Sequence, residues 1–350
     1  MSGKGDEVRS YILDNVRRHP QAIGAVTAER FGISRQAVNR HIAGLVDAKL
    51  LHPEGKTKGR RYSLVPVDQV AFALELTDGL EEHQVWDERL RDHLLPAASE
   101  NVSEVCFYGF TEMFNNAIDH SEGSEIGVRF ERTAADVTLW VVDNGVGIFN
   151  KIASALDLPD LRQSLLELSK GKFTTDPDRH TGEGIFFTSR VFDEFVILSA
   201  HLSFLHRHDG EDWLFEDAPR AEKGTAVMMQ LGLSSERTWK GVFDQFSGGE
   251  ENEYGFTKTH VPLKLAQSGE SNLVSRSQAK RVLTRFDRFD EVWLDFEGVK
   301  FVGQAFADEI FRVFARQNPR IKLVVVNANR AVEQMIERAK SHEPSGPRGT

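Results

Sequence analysis

The feature that most constrains this chain is a strand followed by an acidic residue and two glycines. Residues 137–142 form an apolar, β-branched run, and residues 143–148 read Asp-Asn-Gly-Val-Gly-Ile. Such a run predicts a buried strand. Asp143, fixed at the end of that strand, can accept a hydrogen bond from an exocyclic amine, and Gly145 and Gly147 let the backbone approach a planar ring. Taken alone, Asn-Gly after a strand is more often a hairpin turn.

An upstream segment, residues 110–120, carries polar side chains at helical spacing. Glu112, Asn116 and His120 fall at i, i+4 and i+8, which places them on one face of a helix. A carboxylate can act as a general base, and an amide oxygen can ligate a hard cation. The segment therefore predicts a helix that presents a base and a metal ligand one turn apart.

A downstream loop contributes two further glycines. Residues 171–186 read GKFTTDPDRHTGEGIF, and this polar stretch leads through Gly182 and Gly184 into an apolar helix. Glycines that open a helix expose backbone N–H groups to phosphate oxygens, and the positive end of the helix dipole favours anions. Lys172 is either a phosphate contact or a solvated side chain.

A late threonine, Thr225, precedes the strand predicted at residues 226–231 and offers a hydroxyl to a bound base. With it, the ordered set resembles the Bergerat-fold ATP-binding domain of the GHKL group, which includes gyrase, a heat-shock chaperone, histidine kinases and mismatch-repair ATPases. The resemblance covers about residues 86–233. It matches the first box at Glu112 and Asn116, the second at Asp143, Gly145 and Gly147, the third at Gly182 and Gly184, and the late threonine at Thr225.

This resemblance implies that ATP and Mg²⁺ are the ligands. Asn116 would hold Mg²⁺, Asp143 would bind adenine, and the third-box loop would close over the triphosphate. A first box with both Glu112 and Asn116 is most similar to the first box of the anti-sigma-factor serine kinases and of the hydrolysing members of the group. By that resemblance, Glu112 is the candidate catalytic base.

Charge is distributed unevenly along the 350 residues. Residues 1–66 hold 12 Lys and Arg against 6 Asp and Glu, whereas the remaining residues hold 31 against 47. A basic head on an acidic body indicates a polyanion partner for the head alone. Cys106 is the only cysteine, which excludes an internal disulfide and fits a reducing cytoplasm. Because no apolar run is long enough to span a bilayer and no signal peptide is recognisable, we expect a cytoplasmic protein without a membrane contact.

The first 66 residues have the pattern of three helices and a hairpin. Gly32 stops the second predicted helix, and Ser34 is placed to cap the third. The outward side chains at the start of the third helix are of types that bind base edges, and the hairpin is basic. These residues are Arg35, Gln36, Asn39 and Arg40 on the helix, and Lys56, Lys58, Arg60 and Arg61 in the hairpin.

The segment resembles a winged helix-turn-helix domain, which implies DNA as a partner through the recognition helix and the wing. A winged helix used for protein contacts is the alternative.

The C-terminal third alternates strand and helix patterns, which predicts a small α/β domain. Its stretch EVWLDFEGVKFVGQAFADEIFRVF resembles the STAS-like, anti-sigma-antagonist domains. No Ser or Thr occurs at residues 296–313, which speaks against the phosphorylation switch of that family within this chain.

The predicted fold class is multidomain α/β, with a winged helix-turn-helix, a Bergerat α/β sandwich and a STAS-like domain. The predicted boundaries are residues 1–66 for the DNA-binding domain, 67–100 for a helical connector, 101–235 for the ATP-binding domain, 236–258 for a linker, 259–340 for the STAS-like domain and 341–350 for a disordered tail.

From this order we expect an ATP-responsive, DNA-binding regulator. The alternatives are a serine/threonine kinase acting on a STAS-like partner and an ATP-closed homodimeric clamp on DNA.

Overall fold

The computed structural model describes residues 3–56, 59–77, 79–94, 97–174, 181–208, 213–216, 223–248, 255–267 and 272–341. The chain divides into two compact units. The first comprises Met1–Asn144, Phe192–Phe195 and Ala226–Thr238, and the second comprises Gly145–Val191, Val196–Thr225 and Trp239–Thr350. The expected tail falls almost wholly outside the described residues.

The first unit begins with three helices and a two-stranded antiparallel sheet. These are α1 (Lys4–Asn15), α2 (Ile23–Phe31), α3 (Arg35–Asp47), β1 (Leu51–Glu54) and β2 (Arg61–Leu64). The helices bury one apolar stripe each around a common core. Its buried members are Val8, Ile12, Val16, Ile23, Val38, Ile42, Leu45 and Leu51. Gly32 ends α2 in the left-handed conformation, and the Ser34 hydroxyl accepts a hydrogen bond from Ala37 N at the start of α3. Both predicted signals are thereby confirmed.

The part of the first unit that follows, up to Asn144, is a sheet region with a long helix. It contains β3 (Asp68–Glu75), α4 (Glu82–Arg89), α5 (Arg91–Leu94), α6 (Glu100–His120), β4 (Glu125–Arg132) and β5 (Asp136–Asp143). The prediction of a helical connector was wrong for its first part, since β3 pairs antiparallel with β4 along its full length. Val70, Phe72 and Leu74 alternate along β3, and this period of two is that of a strand.

The following segment supplies helices and strands to the large sheet. It contains α7 (Ile148–Ala155), α8 (Gln163–Lys170), α9 (Gly184–Val191), β6 (Glu194–Ser199), β7 (Leu202–Arg207), β8 (Trp213–Glu216) and β9 (Thr225–Gly232). The sheet has seven strands in the order β3-β4-β5-β9-β6-β7-β8. Residues of β6 and β9 belong to both units.

The C-terminal part of the second unit is a three-stranded parallel sheet with helices. It contains α10 (Trp239–Phe246), β10 (Lys258–Pro262), α11 (Arg276–Leu283), β11 (Glu291–Asp295), α12 (Gln304–Asp308), α13 (Ala315–Gln317), β12 (Lys322–Val326) and α14 (Arg330–Ser341). Short 3-10 helices lie at Leu263–Ala266 and Phe286–Arg288, and a π-helical turn at Glu309–Phe314 joins α12 to α13. The parallel order β10-β11-β12 confirms an α/β domain here. Helix α10 lies inside the stretch predicted as a linker, where its aromatic side chains pack on α9.

None of the helices in the described part of the chain combines the length and the apolar character needed to cross a lipid bilayer.

Candidate functional site

Helix α6 carries the two residues of the first box. Ser99 is in extended conformation before the helix, and the opposite face buries side chains such as Phe110 and Phe114 against the sheet region. The helix packs on β5. Glu112 and Asn116 are one turn apart and partly exposed, as the spacing predicts. They are therefore held on a rigid element with their side chains accessible.

Asp143 is the last residue of β5 and lies opposite Ile126 in the sheet register. Its residue surface is only 9% exposed, so the carboxylate is held close to the sheet. The next residue, Asn144, ties the end of the strand to the start of β4. Its Oδ1 accepts hydrogen bonds from Ser124 N at 2.8 Å and Glu125 N at 3.2 Å. This anchoring fixes the position of the preceding aspartate.

The glycines of the second box form a tight turn in the second unit. Gly145 O accepts a hydrogen bond from Gly224 N at 2.8 Å. Gly147 has φ +84°, and a Cβ built there would lie 2.5 Å from Ser199 Oγ and 3.0 Å from Gly224 O. Only glycine fits a backbone that is both left-handed and this closely packed.

Thr225 serves the same turn. Its hydroxyl accepts a hydrogen bond from Ile148 N, the first residue of α7, at 3.0 Å. The Ser199 hydroxyl donates to Gly224 O at 2.8 Å. The structure thus brings Gly145, Gly147 and Thr225 together. Sequence reasoning missed Ser199, which ends β6 and whose partner lies 25 residues away.

The third-box glycines lie at the start of α9, which begins at Gly184. Gly182 has φ +71°, and a Cβ there would come within 2.4 Å of the Phe173 backbone. The two ends of the loop therefore touch through backbone atoms, and residue 182 has to be glycine. Residues 175–180, between these ends, lie outside the described part of the chain.

The side-chain nitrogen of Lys172 contacts protein groups, whereas a phosphate contact would require it to face a ligand. Its Nζ donates to Arg288 O at 3.0 Å and lies over the rings of Phe256 and Phe289. Burial lowers the pKa of Lys172, with the charges of Glu183 and Asp290 acting in the opposite sense. Burial also raises the pKa of the Glu183 carboxyl, which Lys172 partly offsets.

The four predicted DNA-contacting residues of α3 are all exposed. They are Arg35, Gln36, Asn39 and Arg40. In the hairpin between β1 and β2, Lys56 and Arg60 are exposed, and Arg61 lies 3.9 Å from the Glu54 carboxylate in an exposed pair. Lys58 lies outside the described residues.

Acidic, histidine and cysteine side chains also occur outside the predicted boxes among the described residues. The described residues contain no group of three or more His, Cys, Asp or Glu side chains arranged to hold a metal ion. Cys106 is fully buried in α6, and burial raises the pKa of its thiol. A thiol without thiolate character is a poor nucleophile, so Cys106 is a core residue.

Comparison with known families assigns the C-terminal part of the chain. Residues 278–333 match the STAS-like domain of unknown function (DUF4325). The match covers α11 to the start of α14 and agrees with the STAS-like domain predicted from the sequence. A search of curated proteins found no significant match.

Proposed function

We propose that this protein is an ATP-binding, DNA-binding regulator in which Mg-ATP changes the affinity of the N-terminal domain for DNA. The N-terminal three helices and hairpin are assigned as a winged helix-turn-helix, and residues 101–235 as a Bergerat-fold domain, to which β3 adds a strand through its pairing with β4. The observation that carries the nucleotide assignment is the second-box turn. There the Gly147 backbone packs on Ser199 and Gly224, and Thr225 fixes the first turn of α7.

In this proposal each box has a separate role. Asp143 accepts the adenine amine, because a buried carboxylate at a strand end is held in one position. Asn116 supplies an oxygen ligand to Mg²⁺, and the glycines at 182 and 184 present backbone N–H groups to phosphates. Gly145 and Gly147 let the backbone approach the base. Helices α7 and α8, over residues 148–170, are the elements expected to move when nucleotide binds.

The connection of the N-terminal helices to β5 supports coupling between DNA and nucleotide. Arg17 follows α1 and makes two hydrogen bonds to Asp136, at 2.5 Å from Nε and 3.0 Å from Nη2. Asp136 is the first residue of β5 and Asp143 the last. One strand thus carries the contact with the N-terminal helices at one end and the proposed adenine ligand at the other.

The test is DNA affinity at fixed salt, measured with and without Mg-ATP. We expect ATP to change the affinity of the wild-type protein and to have no effect on Asp143→Ala. The control is Asp92→Ala, an exposed aspartate of α5 in the same unit and outside the proposed site. Equal DNA affinity with and without ATP in the wild type contradicts the coupling.

A serine/threonine kinase acting on a STAS-like protein in trans is the second candidate. It is favoured by the position of Glu112, which lies one turn from Asn116 on a rigid helix and is partly exposed. Glu112 would deprotonate the acceptor hydroxyl. Incubation with γ-labelled ATP separates the outcomes: label on an added protein indicates a kinase, and label in free phosphate an ATPase. Glu112→Ala is expected to abolish both and to retain nucleotide binding.

An ATP-closed homodimeric clamp on DNA is the third candidate, and it rests on the family resemblance alone. It predicts an increase in size when a non-hydrolysable ATP analogue is added. A constant monomer in size-exclusion chromatography with light scattering contradicts it.

A further inference from the structure

A cluster of three buried charged side chains joins α8 to the STAS-like domain. Lys170, at the end of α8, is fully buried, and Glu167 on the same helix is 3% exposed. Arg285, just after α11, is also largely buried, with a side-chain exposure of 9%. Glu167 and Arg285 are 118 residues apart in the sequence. All three residues belong to the second unit.

In this cluster, α8 donates hydrogen bonds to the STAS-like domain, and the STAS-like domain donates hydrogen bonds to the α8 segment. Lys170 Nζ donates to Glu167 Oε1 at 2.6 Å and to the Thr284 carbonyl at 2.9 Å. Arg285 Nη1 donates to Glu167 Oε2 at 3.1 Å, and its Nη2 donates to the Gly171 carbonyl at 2.5 Å. The glutamate therefore accepts from both cations, while each cation also satisfies a backbone carbonyl of the opposite side.

An adjacent contact, between Lys172 and Arg288, also has a hydrogen bond donated from each side. Lys172 Nζ donates to the Arg288 carbonyl at 3.0 Å, and Arg288 Nη1 donates to the Lys172 carbonyl at 2.8 Å. Phe173, the next residue, is the one whose backbone touches Gly182 of the third box. The contacts thus continue from α8 to the base of the third glycine box.

Charged side chains are an unusual means of joining two apolar surfaces. Three ionisable groups buried together lose their hydration, and an apolar replacement of similar volume is often as stable. What such an ionic cluster adds is specificity, since its hydrogen bonds form in only one relative position of the two sides. One donor of the cluster, Arg285 Nε, is buried without a hydrogen-bond partner among the described residues. Removing one charge then weakens the whole contact, because the remaining charges are left without partners.

We propose that the STAS-like domain holds the base of the third glycine box in place within the same chain. It does so through the ionic contact of Glu167, Lys170 and Arg285, which we call the clamp. The partner of the STAS-like domain is the α8 segment of its own chain. The coupling of this clamp to nucleotide rests on the function proposed above, whereas the clamp itself does not.

Hydrogen exchange measured by mass spectrometry on the full chain tests the clamp. In Glu167→Gln the side chain keeps its shape and loses its charge, so both cations lose their counter-ion while packing is preserved. We expect protection to fall at least about tenfold in residues 163–173 and, together with them, in residues 281–289. Glu297→Gln, an exposed residue of the same domain, is the control and is expected to change neither segment. Unchanged protection in 281–289 overturns the proposal.

Lys170→Met provides a second variant in case Glu167→Gln loses protection throughout the chain. It retains the pair of Glu167 and Arg285, so the loss in both segments is expected to be smaller than with Glu167→Gln. Lys280→Met, at an exposed position of α11, is its matched control. Equal protection in the two methionine variants overturns the clamp.

Addition of Mg-ATP to the wild-type protein tests the coupling. We expect protection to rise in residues 143–148, which would hold nucleotide, and also in 281–289, which lie in the STAS-like domain. A rise at 143–148 alone overturns the coupling and leaves the nucleotide site standing. If protection rises in neither segment, both the nucleotide site and the coupling are contradicted. The clamp is then tested by the Glu167→Gln and Lys170→Met variants alone.

Discussion

Gly147 has no room for a side chain. It has φ +84°, and a Cβ would lie 2.5 Å from the Ser199 hydroxyl oxygen and 3.0 Å from the Gly224 carbonyl oxygen. We expect Gly147→Ala to lower the free energy of unfolding by about 1–3 kcal/mol, since backbone strain and a close contact act together. Gly127→Ala is the control, because a Cβ there meets only ordinary contacts at 3.8 Å. Urea denaturation of both variants checks this, and equal stability would mean that the turn can relax.

Lys170 connects the clamp to pH. Burial lowers the pKa of Lys170 from 10.5 to about 8, an effect that the carboxylate of Glu167 partly offsets. Between these two values the unfolded chain binds the proton and the folded chain does not. The contribution of Lys170 to stability is therefore lowest below about pH 8 and rises as the pH increases towards 10.5.

We expect the stability difference between wild type and Lys170→Met to shift in favour of the wild type over this pH window. The comparison with a variant is needed because the raised pKa of Cys106 acts in the opposite sense as the pH rises. Urea denaturation of both proteins between pH 7.5 and about 10 measures the difference. A difference that does not vary with pH would mean that Lys170 stays protonated throughout.

At the scale of single elements, the contact between the segment after α1 and β5 is a bidentate one. Asp136 is 6% exposed and also accepts hydrogen bonds from Thr133 Oγ1 at 2.7 Å and Gln230 Nε2 at 2.7 Å. Arg17 is nearly half exposed, so solvent screens part of its charge. The bidentate hydrogen bonds therefore stabilise this contact more than the attraction between the two charges does.

We expect Arg17→Ala to destabilise the chain by about 1–2 kcal/mol, because solvent at the half-exposed arginine reduces the usual value of about 1.5–3 kcal/mol for a hydrogen bond to a charged group. It should also reduce the effect of ATP on DNA affinity, because the N-terminal helices lose their connection to β5. Arg30→Ala, an exposed arginine of α2, is the control. Destabilisation together with an unchanged ATP effect would place the coupling elsewhere.

Local chemistry predicted the elements whose signals lie close together in the sequence. Gly32 and Ser34 mark the end of α2 and the start of α3 within a few residues, and the alternation of strand and helix patterns in the C-terminal third predicts its α/β domain. β3 was mistaken for helix because the period of two in Val70, Phe72 and Leu74 was outweighed by the helical pattern that follows it. The helical period predicted for this segment is therefore wrong, and β3 is a strand because it pairs with β4.

The clamp was beyond prediction from the sequence for a physical reason. Glu167 and Lys170 are three residues apart on a helix, a spacing typical of an exposed ion pair. Only the fold brings Arg285 onto them and removes all three from water. The same holds for Ser199, since a serine at a strand end has no local feature that identifies a partner 25 residues away.

At the scale of the whole molecule, the proposed regulator joins two ligands, and their effects on each other must be equal. If Mg-ATP changes the affinity for DNA by a given factor, DNA changes the affinity for Mg-ATP by the same factor. Couplings of this kind are typically about 5–150-fold. We expect the two factors, one from DNA titrations with and without ATP and one from nucleotide titrations with and without DNA, to agree at a single salt concentration.

Salt must be held constant because contacts with phosphates release counterions and make DNA affinity strongly dependent on ionic strength. Lys56→Ala and Arg35→Ala separate the two kinds of DNA contact. Loss of one phosphate contact at Lys56 should lower the slope of log affinity against log salt by about one, whereas Arg35→Ala should weaken specific binding more than non-specific binding. Both variants should keep the reciprocal factors equal, because linkage makes the two factors equal whichever residue is substituted. If the two factors differ in the wild type, ATP is being consumed during the DNA titration, and the protein is then acting as an enzyme rather than as a two-ligand switch.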